Sequence, residues 1–331
     1  MMSMNTAPSV LPARRLRDFA LLGGLLALVG IGLAGLVAQT GWEESWAQVS
    51  QLGLWQIGAL LGLSLVNYLF RAGRWHLLAR RLGLPVAPLQ SIGHFLGGFA
   101  MSVTPGRVGE LVRMRWLKRE TGWAVERTAP LVLMDRAGDL AAMALILGGS
   151  VSLAAGGIAG ALPVTVLALA AAIVATRPRL LAACITFAHR LIGRFDRLFA
   201  RARRAARTLA RFSHGPTLAF SLALGLLGWT AEGYAFDLLL GWMGADIGLA
   251  KAIAIFVFAT LAGGLTGAPG GLGGAEAAMV ALLSLEGVPL EISVPATAII
   301  RLTTLWFAIA IGLAAFPLAE RRSLRSQQVR P

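Results

Sequence analysis

Two stretches of this chain carry the same small set of chemically capable residues in the same order. Pro105, Gly106, Gly109 and Glu110 are followed by Arg136; Pro269, Gly270, Gly273 and Glu276 are followed by Arg301. The interval from proline to arginine is 31 residues in the first copy and 32 in the second. Both copies sit in strongly apolar surroundings, where an ionised side chain is costly and marks a functional position with a partner to be found. Duplication combined with broken hydrophobic segments points to a transporter.

The chemistry open to these residues follows from their types. Proline removes a backbone donor and glycine permits unusual torsions, so Pro105-Gly106, with Arg107 beside it, and Pro269-Gly270-Gly271 each predict a helix break. Amides freed at the start of the next half-helix, around Gly109 and Gly273, form an anion site that suits a lipid phosphate. Arg136 and Arg301 offer guanidinium forks for phosphate or carboxylate. Glu110 and Glu276 can complement a half-helix terminus, pair with those arginines, or carry a proton. Two readings stay open for each Glu/Arg pair: a static lock of hairpin to span, or part of a ligand site. Asp135 and Asp139 flank Arg136 at spacings that allow them to neutralise it, and Glu232 is placed to face a helix-bundle interior. Asn67, Tyr68, Arg71, Arg74 and Trp75 read as an interfacial anchor, with Arg71 and Arg74 able to contact a headgroup. Trp55, Trp116 and Trp123 fit interfacial belts, and the spacings Gly58/Gly62 and Gly93/Gly97 suit close helix packing.

The elements that must position these residues are set by composition. Hydrophobic residues make up 56% of the 331, mean hydropathy is +0.71, and the long runs lack the alternation of barrel strands. The fold class expected is an all-α polytopic membrane protein with an inverted-topology repeat, about six full spans and two re-entrant helical hairpins. Residues 1–176 form the first repeat, with spans 17–38, 51–70, 126–150 and 161–176 and a re-entrant segment 89–120. A basic cytoplasmic amphipathic segment covers 177–215. The second-repeat core, 216–318, has spans 216–242 and 293–317 around a re-entrant segment 250–286, and 319–331 is a basic tail.

Orientation comes from the cations. The net charge of +14 is gathered in blocks between apolar runs, which fits the positive-inside rule and contact with anionic lipid rather than binding of nucleic acid. Ten arginines between 177 and 211 predict an amphipathic helix on anionic inner-leaflet lipids. Both termini are then cytoplasmic in a bacterial inner membrane, and the two hairpins open to opposite sides. Cys184 is the single cysteine and the four histidines are scattered, so no metal or cofactor is expected.

The stretch from Arg71-Ala-Gly-Arg-Trp75 through Thr104-Pro-Gly-Arg-Val-Gly-Glu110 to Asp135-Arg136, with Pro269 to Gly273, Glu276 and Arg301, resembles the transmembrane flippase-like domain of the lysylphosphatidylglycerol synthase family. That likeness runs from about residue 16 to 318 and implies movement of a lipid between leaflets. A chain ending at Pro331 leaves no room for the family's aminoacyl-transferring domain, so the synthase activity is not expected. The resemblance extends to stand-alone members of hopanoid or glycolipid pathways. Competing readings are a membrane enzyme acting on a lipid headgroup, although a P-loop or catalytic triad is not recognisable, and an accessory subunit beside a lipid synthase. A homo-oligomer also remains open.

Overall fold

The computed structural model describes residues 50, 52–102, 104, 111–153, 161–194, 196–212 and 214–328, and every regular element among them is helical. Helix α1 (Leu54–Leu82) starts at Gly53, whose amide donates to the Gln56 side chain, and stops at Gly83 in the left-handed region, φ +89°. Arg80 and Arg81 complement its C-terminal dipole. Helix α2 (Pro88–Gly98) begins on proline and tightens into a 3₁₀ turn at Phe99–Met101. Helices α3 (Val112–Thr121), α4 (Val125–Leu153) and α5 (Ala161–Thr176) follow.

The chain then turns by 99° into α6 (Pro178–Ile192), continues in α7 (Asp196–Thr208), and closes with a 3₁₀ turn at Leu209–Phe212. Beyond it lie α8 (Gly215–Trp242), α9 (Leu249–Leu265) and α10 (Gly274–Leu285). Last come α11 (Leu290–Arg301), a π-helical turn Leu302–Trp306 and α12 (Phe307–Gln328).

Packing divides the interior into two apolar cores. One gathers α8, α9, α10 and α11 around Phe236, Ile255, Phe256 and Ile300, with Leu60 of α1 and Leu147 of α4. The other surrounds Trp75, Leu78, Phe95, Leu117, Leu131 and Phe212. Both α1 and α4 run through the two cores, and between them each carries charge: Arg71 and Arg74 on α1, Asp135 and Asp139 on α4.

Two helical hairpins are closed at their open ends by polar contacts. Gln90 and His94 of α2 meet Glu120 near the end of α3. Lys251 near the start of α9 meets Glu286 just past α10. Each pair of short helices therefore returns the chain to the level at which it entered.

Several expectations require adjustment. Among the described residues one continuous helix, Leu290–Gln327, is long and apolar enough to cross a membrane alone; α5 and α6 pass the same test only as a bent pair. Helices α1 and α8 have the length, at 29 and 28 residues, but polar residues interrupt their apolar surface. Segment 17–38 lies outside the described residues, as does the tip of the first hairpin. Residues 177–211 form two helices rather than one. α6 buries no side chain and exposes Leu180, Phe187 and Leu191, whereas the end of the segment buries Ala206 and sinks Leu209 and Phe212 into the second core. Trp116 is wholly buried instead of lying in an interfacial belt, because its indole N–H donates to Glu320 on α12 at 2.6 Å. Burial pushes the Glu320 carboxyl up, but hydrogen bonds from Arg119 and Trp116 and the charge of Arg115 outweigh it and hold it below the usual range.

Of the four glycines with the expected spacing, Gly97 alone makes a close approach, a Cβ there lying 3.1 Å from the Trp116 ring and 3.5 Å from the Phe316 Cα. A Cβ on Gly58, Gly62 or Gly93 would meet nothing within 4 Å. On Gly312 it would lie 2.2 Å from the Ala100 amide nitrogen, where α12 crosses the end of α2. Gly312→Ala is therefore expected to lower unfolding stability by about 1–3 kcal/mol, since backbone cannot yield as a side chain can. Gly62→Ala should leave it unchanged or slightly raised, and thermal unfolding of the two variants in detergent measures the difference.

Candidate functional site

At the level between the two cores, α1 presents Arg71 and Arg74 three residues apart and α4 presents Asp135 and Asp139 four apart. Both spacings put a pair on one helix face. Arg74 is 0% exposed; its Nε and Nη2 donate to Asp135 Oδ1 at 3.0 and 2.7 Å, and Nη2 also reaches Asp139 Oδ1 at 2.7 Å. Arg71 Nη2 donates to Asp139 Oδ2 at 2.7 Å, with its guanidinium 4.8 Å from the Trp229 ring centroid. The Trp229 indole N–H donates to Asp139 Oδ1 at 3.1 Å. Arg113 of α3 closes the cluster: its guanidinium lies over the Phe95 ring, donates to the Phe95 carbonyl, and stands 3.9 Å from Asp135 Oδ2.

Arg71, Arg74 and Trp75 are thus inside the bundle and not at an interface. The polar stripe of α1 points inward because the aspartates of α4 are there to receive it. Asp135 and Asp139 are engaged mainly by Arg71 and Arg74. Arg136 approaches Asp139 Oδ2 only to 3.8 Å and its side chain is 29% exposed. Arg113, which the sequence did not single out, belongs to the buried cluster, and its arginine-rich neighbours gave no signal to separate it.

The second motif copy is held differently. Gly270, Gly271 and Gly273 all have positive φ, of 62°, 71° and 79°, so the turn between α9 and α10 needs residues without a Cβ. The turn aims the Gly270 carbonyl at Arg301, whose Nη2 donates to it at 2.9 Å while Nε donates to Glu276 Oε1 at 2.6 Å. Arg301 therefore fastens α11 to the hairpin turn and to the first turn of α10. The break expected at Pro269 is present as a 3₁₀ turn. Pro105, Gly106, Arg107, Gly109 and Glu110 lie outside the described residues.

Two cavities adjoin this layer. The larger, about 310 Å³, has Arg136 and Asp139 at its polar side and an apolar wall from α4, α5 and α9 that includes Met143, Leu167 and Leu261. The smaller, about 50 Å³, is lined by Arg71, Glu232, Arg301 and Ser102, with Phe99 from the first hairpin and Phe256 from the second. Trp229 and Thr260 line both cavities. Glu232 is buried and faces the bundle interior. Tyr68, which the sequence put with the anchor, lines the smaller cavity and donates its hydroxyl to the Thr304 carbonyl in the π-helical turn.

A family model described as the lysylphosphatidylglycerol synthase TM region matches residues 20–312. Two proteins of Methanothermobacter thermautotrophicus, each called a UPF0104 membrane protein, are 34% identical over 100 residues and 30% identical over 101 residues. Each match covers 30% of this chain and spans 30% of the relative's length.

Removing one partner from the ion cluster leaves a buried guanidinium uncompensated. Asp135→Asn and Asp139→Asn are each expected to cost about 3–5 kcal/mol, read as a fall in unfolding midpoint and in yield of monodisperse protein.

Proposed function

This chain belongs to the lysylphosphatidylglycerol synthase transmembrane family, an all-helical, membrane-embedded group, and from that premise we propose that it is a lipid translocase. Its cargo is a phospholipid, glycolipid or polyprenyl- or hopanoid-type lipid with a polar headgroup, passed between leaflets by alternating access. One observation carries this reading: the cavity with Arg136 and Asp139 at one side and apolar faces of α4, α5 and α9 around the rest. That lining is amphipathic in the sense a lipid requires. Its 310 Å³ is within the ordinary range for a ligand pocket. A guanidinium next to a carboxylate receives a phosphate through Arg136, while Asp139 is restrained by Arg71, Arg74 and Trp229.

The topology that accompanies the proposal has six spans, two re-entrant hairpins of opposite orientation, and both termini in the cytoplasm. It is supported by the polar closure of each hairpin and by Phe99 and Phe256 from the two hairpins lining one small cavity. Arg301, bound to Glu276 and the Gly270 carbonyl, keeps the second hairpin and α11 moving as one piece. Inverted hairpins that meet near the midplane are a recurring basis for alternating access.

Leaflet-resolved transport of labelled lipid in proteoliposomes tests the main claim. Wild-type protein should equilibrate at least one headgroup class, and Arg136→Gln should slow it about tenfold or more with its unfolding midpoint unchanged; folded wild type that moves none of the candidate lipids overturns the proposal. Orientation is tested at Cys184, which is exposed and the single cysteine. An impermeant maleimide should label it in inverted membrane vesicles and not in intact spheroplasts.

A further inference from the structure

A third cavity, about 570 Å³, lies away from the ion cluster, between α2 and the basic end of α12. Its floor is apolar, with Leu89, Ile92 and Leu318, and its rim carries Arg321, Arg322 and Arg325. These three arginines are exposed and make no ion pair among the described residues. Arg115 and Arg119 nearby are instead committed to Glu320 at 3.0 and 2.7 Å.

The inner wall is polar and buried. His94 is 1% exposed, stacks on Trp116, and has no hydrogen-bond partner at Nδ1 among the described residues. Its Nε2 stands 2.9 Å from Glu120 Oε2 but makes no hydrogen bond among the described residues; that oxygen accepts from Gln90. Glu120 Oε1 is buried without a partner among the same residues. Leaving such atoms without hydrogen bonds is costly, so the wall is suited to a ligand with polar groups of its own.

We propose that this cleft binds the phosphodiester headgroup of an anionic phospholipid, as a site separate from the Arg136 cavity. The three rim arginines outnumber the single carboxylate, Glu120, and receive the phosphate. Glu120 Oε1 accepts from a headgroup hydroxyl and the His94 ring nitrogen offers a further hydrogen bond. Leu89 and Leu318, 66% and 70% exposed, lie under the acyl chains. A free phosphate would satisfy the arginines but leave those leucines uncovered, so the lipid is the occupant the surface fits. The site stands whether or not the molecule moves lipid.

Native mass spectrometry of the full-length protein titrated with phosphatidylglycerol or phosphatidylcholine in detergent tests this. Phosphatidylglycerol should be the lipid retained most tightly, and its binding should fall with added salt. Arg321→Gln/Arg322→Gln/Arg325→Gln should weaken it at least about tenfold. Ile92→Trp fills the floor without changing charge and should weaken it likewise. Circular dichroism checks both variants for folding; the arginines are exposed, so the triple variant decides if the tryptophan variant unfolds. Equal retention of phosphatidylcholine, unchanged binding in the folded variants, or displacement of the lipid by equimolar glycerol 1-phosphate would each overturn the proposal.

Discussion

The pairing of Arg71 and Arg74 with Asp135 and Asp139 is the constraint on which the rest of the bundle depends. Four charged side chains are buried, with Arg74 and Asp135 almost wholly enclosed and Arg71 and Asp139 each touching the edge of a cavity. Their desolvation is tolerable only when every ion meets an opposite one at hydrogen-bonding distance. That condition fixes α1 against α4 in both rotation and translation, because a slip of one residue would carry the guanidinium groups off the carboxylates. The apolar cores on either side are forgiving by comparison: leucines and alanines can repack, whereas an arginine without its aspartate cannot. Specificity of register thus resides in the polar layer and most of the buried area in the two cores.

Helix α8 is the element that seals this layer, and its small residues let it do so. A Cβ on Gly225 would lie 3.0 Å from Arg74 Nη1, and one on Gly228 would lie 2.8 Å from Asn67 Oδ1. Small residues at such a crossing are how helices approach closely where lipid gives no hydrophobic drive for association. Trp229, next to Gly228, then reaches Asp139 with its indole N–H and covers Arg71 with its ring. The same tryptophan lines both cavities, so the residue that completes the ion cluster also borders the spaces beside it.

Much of this was legible from residue type and spacing, and the failures have physical causes. For the second motif copy the sequence pointed to Glu276 and Arg301 as possible partners, because a glutamate and an arginine have few ways to satisfy one another at membrane depth, but it left lock and ligand site both open. The inward orientation of Arg71 and Arg74 was not. An arginine pair with tyrosine and tryptophan beside it has the composition of an interfacial anchor, and only the matching Asp135/Asp139 spacing on another helix distinguishes the two. The close-packing glycines were found only in part for a related reason: Gly97 does pack closely against Trp116, but Gly58 and Gly62 do not, because spacing does not reveal which face meets another helix. The helical character of the chain and the extents of α4, α5 and α8 followed directly from the apolar runs. The π-helical turn after Arg301 has no comparable sequence signal, because it depends on where neighbouring helices, including Tyr68, meet the chain.

The two motif arginines that the structure describes have different surroundings. Arg301 is nearly saturated by protein: a carboxylate at 2.6 Å, a carbonyl at 2.9 Å, and 8% side-chain exposure. Arg136 keeps 29% of its side chain exposed, stands 3.8 Å from Asp139, and lines the largest cavity of this layer. An arginine held on two sides serves to transmit position, and the π-helical turn that begins at the next residue is the kind of irregularity that lets a long helix change direction locally. The same residue type thus stands in two settings among the described residues, and the helices packed around each arginine, rather than its place in the sequence pattern, set those settings.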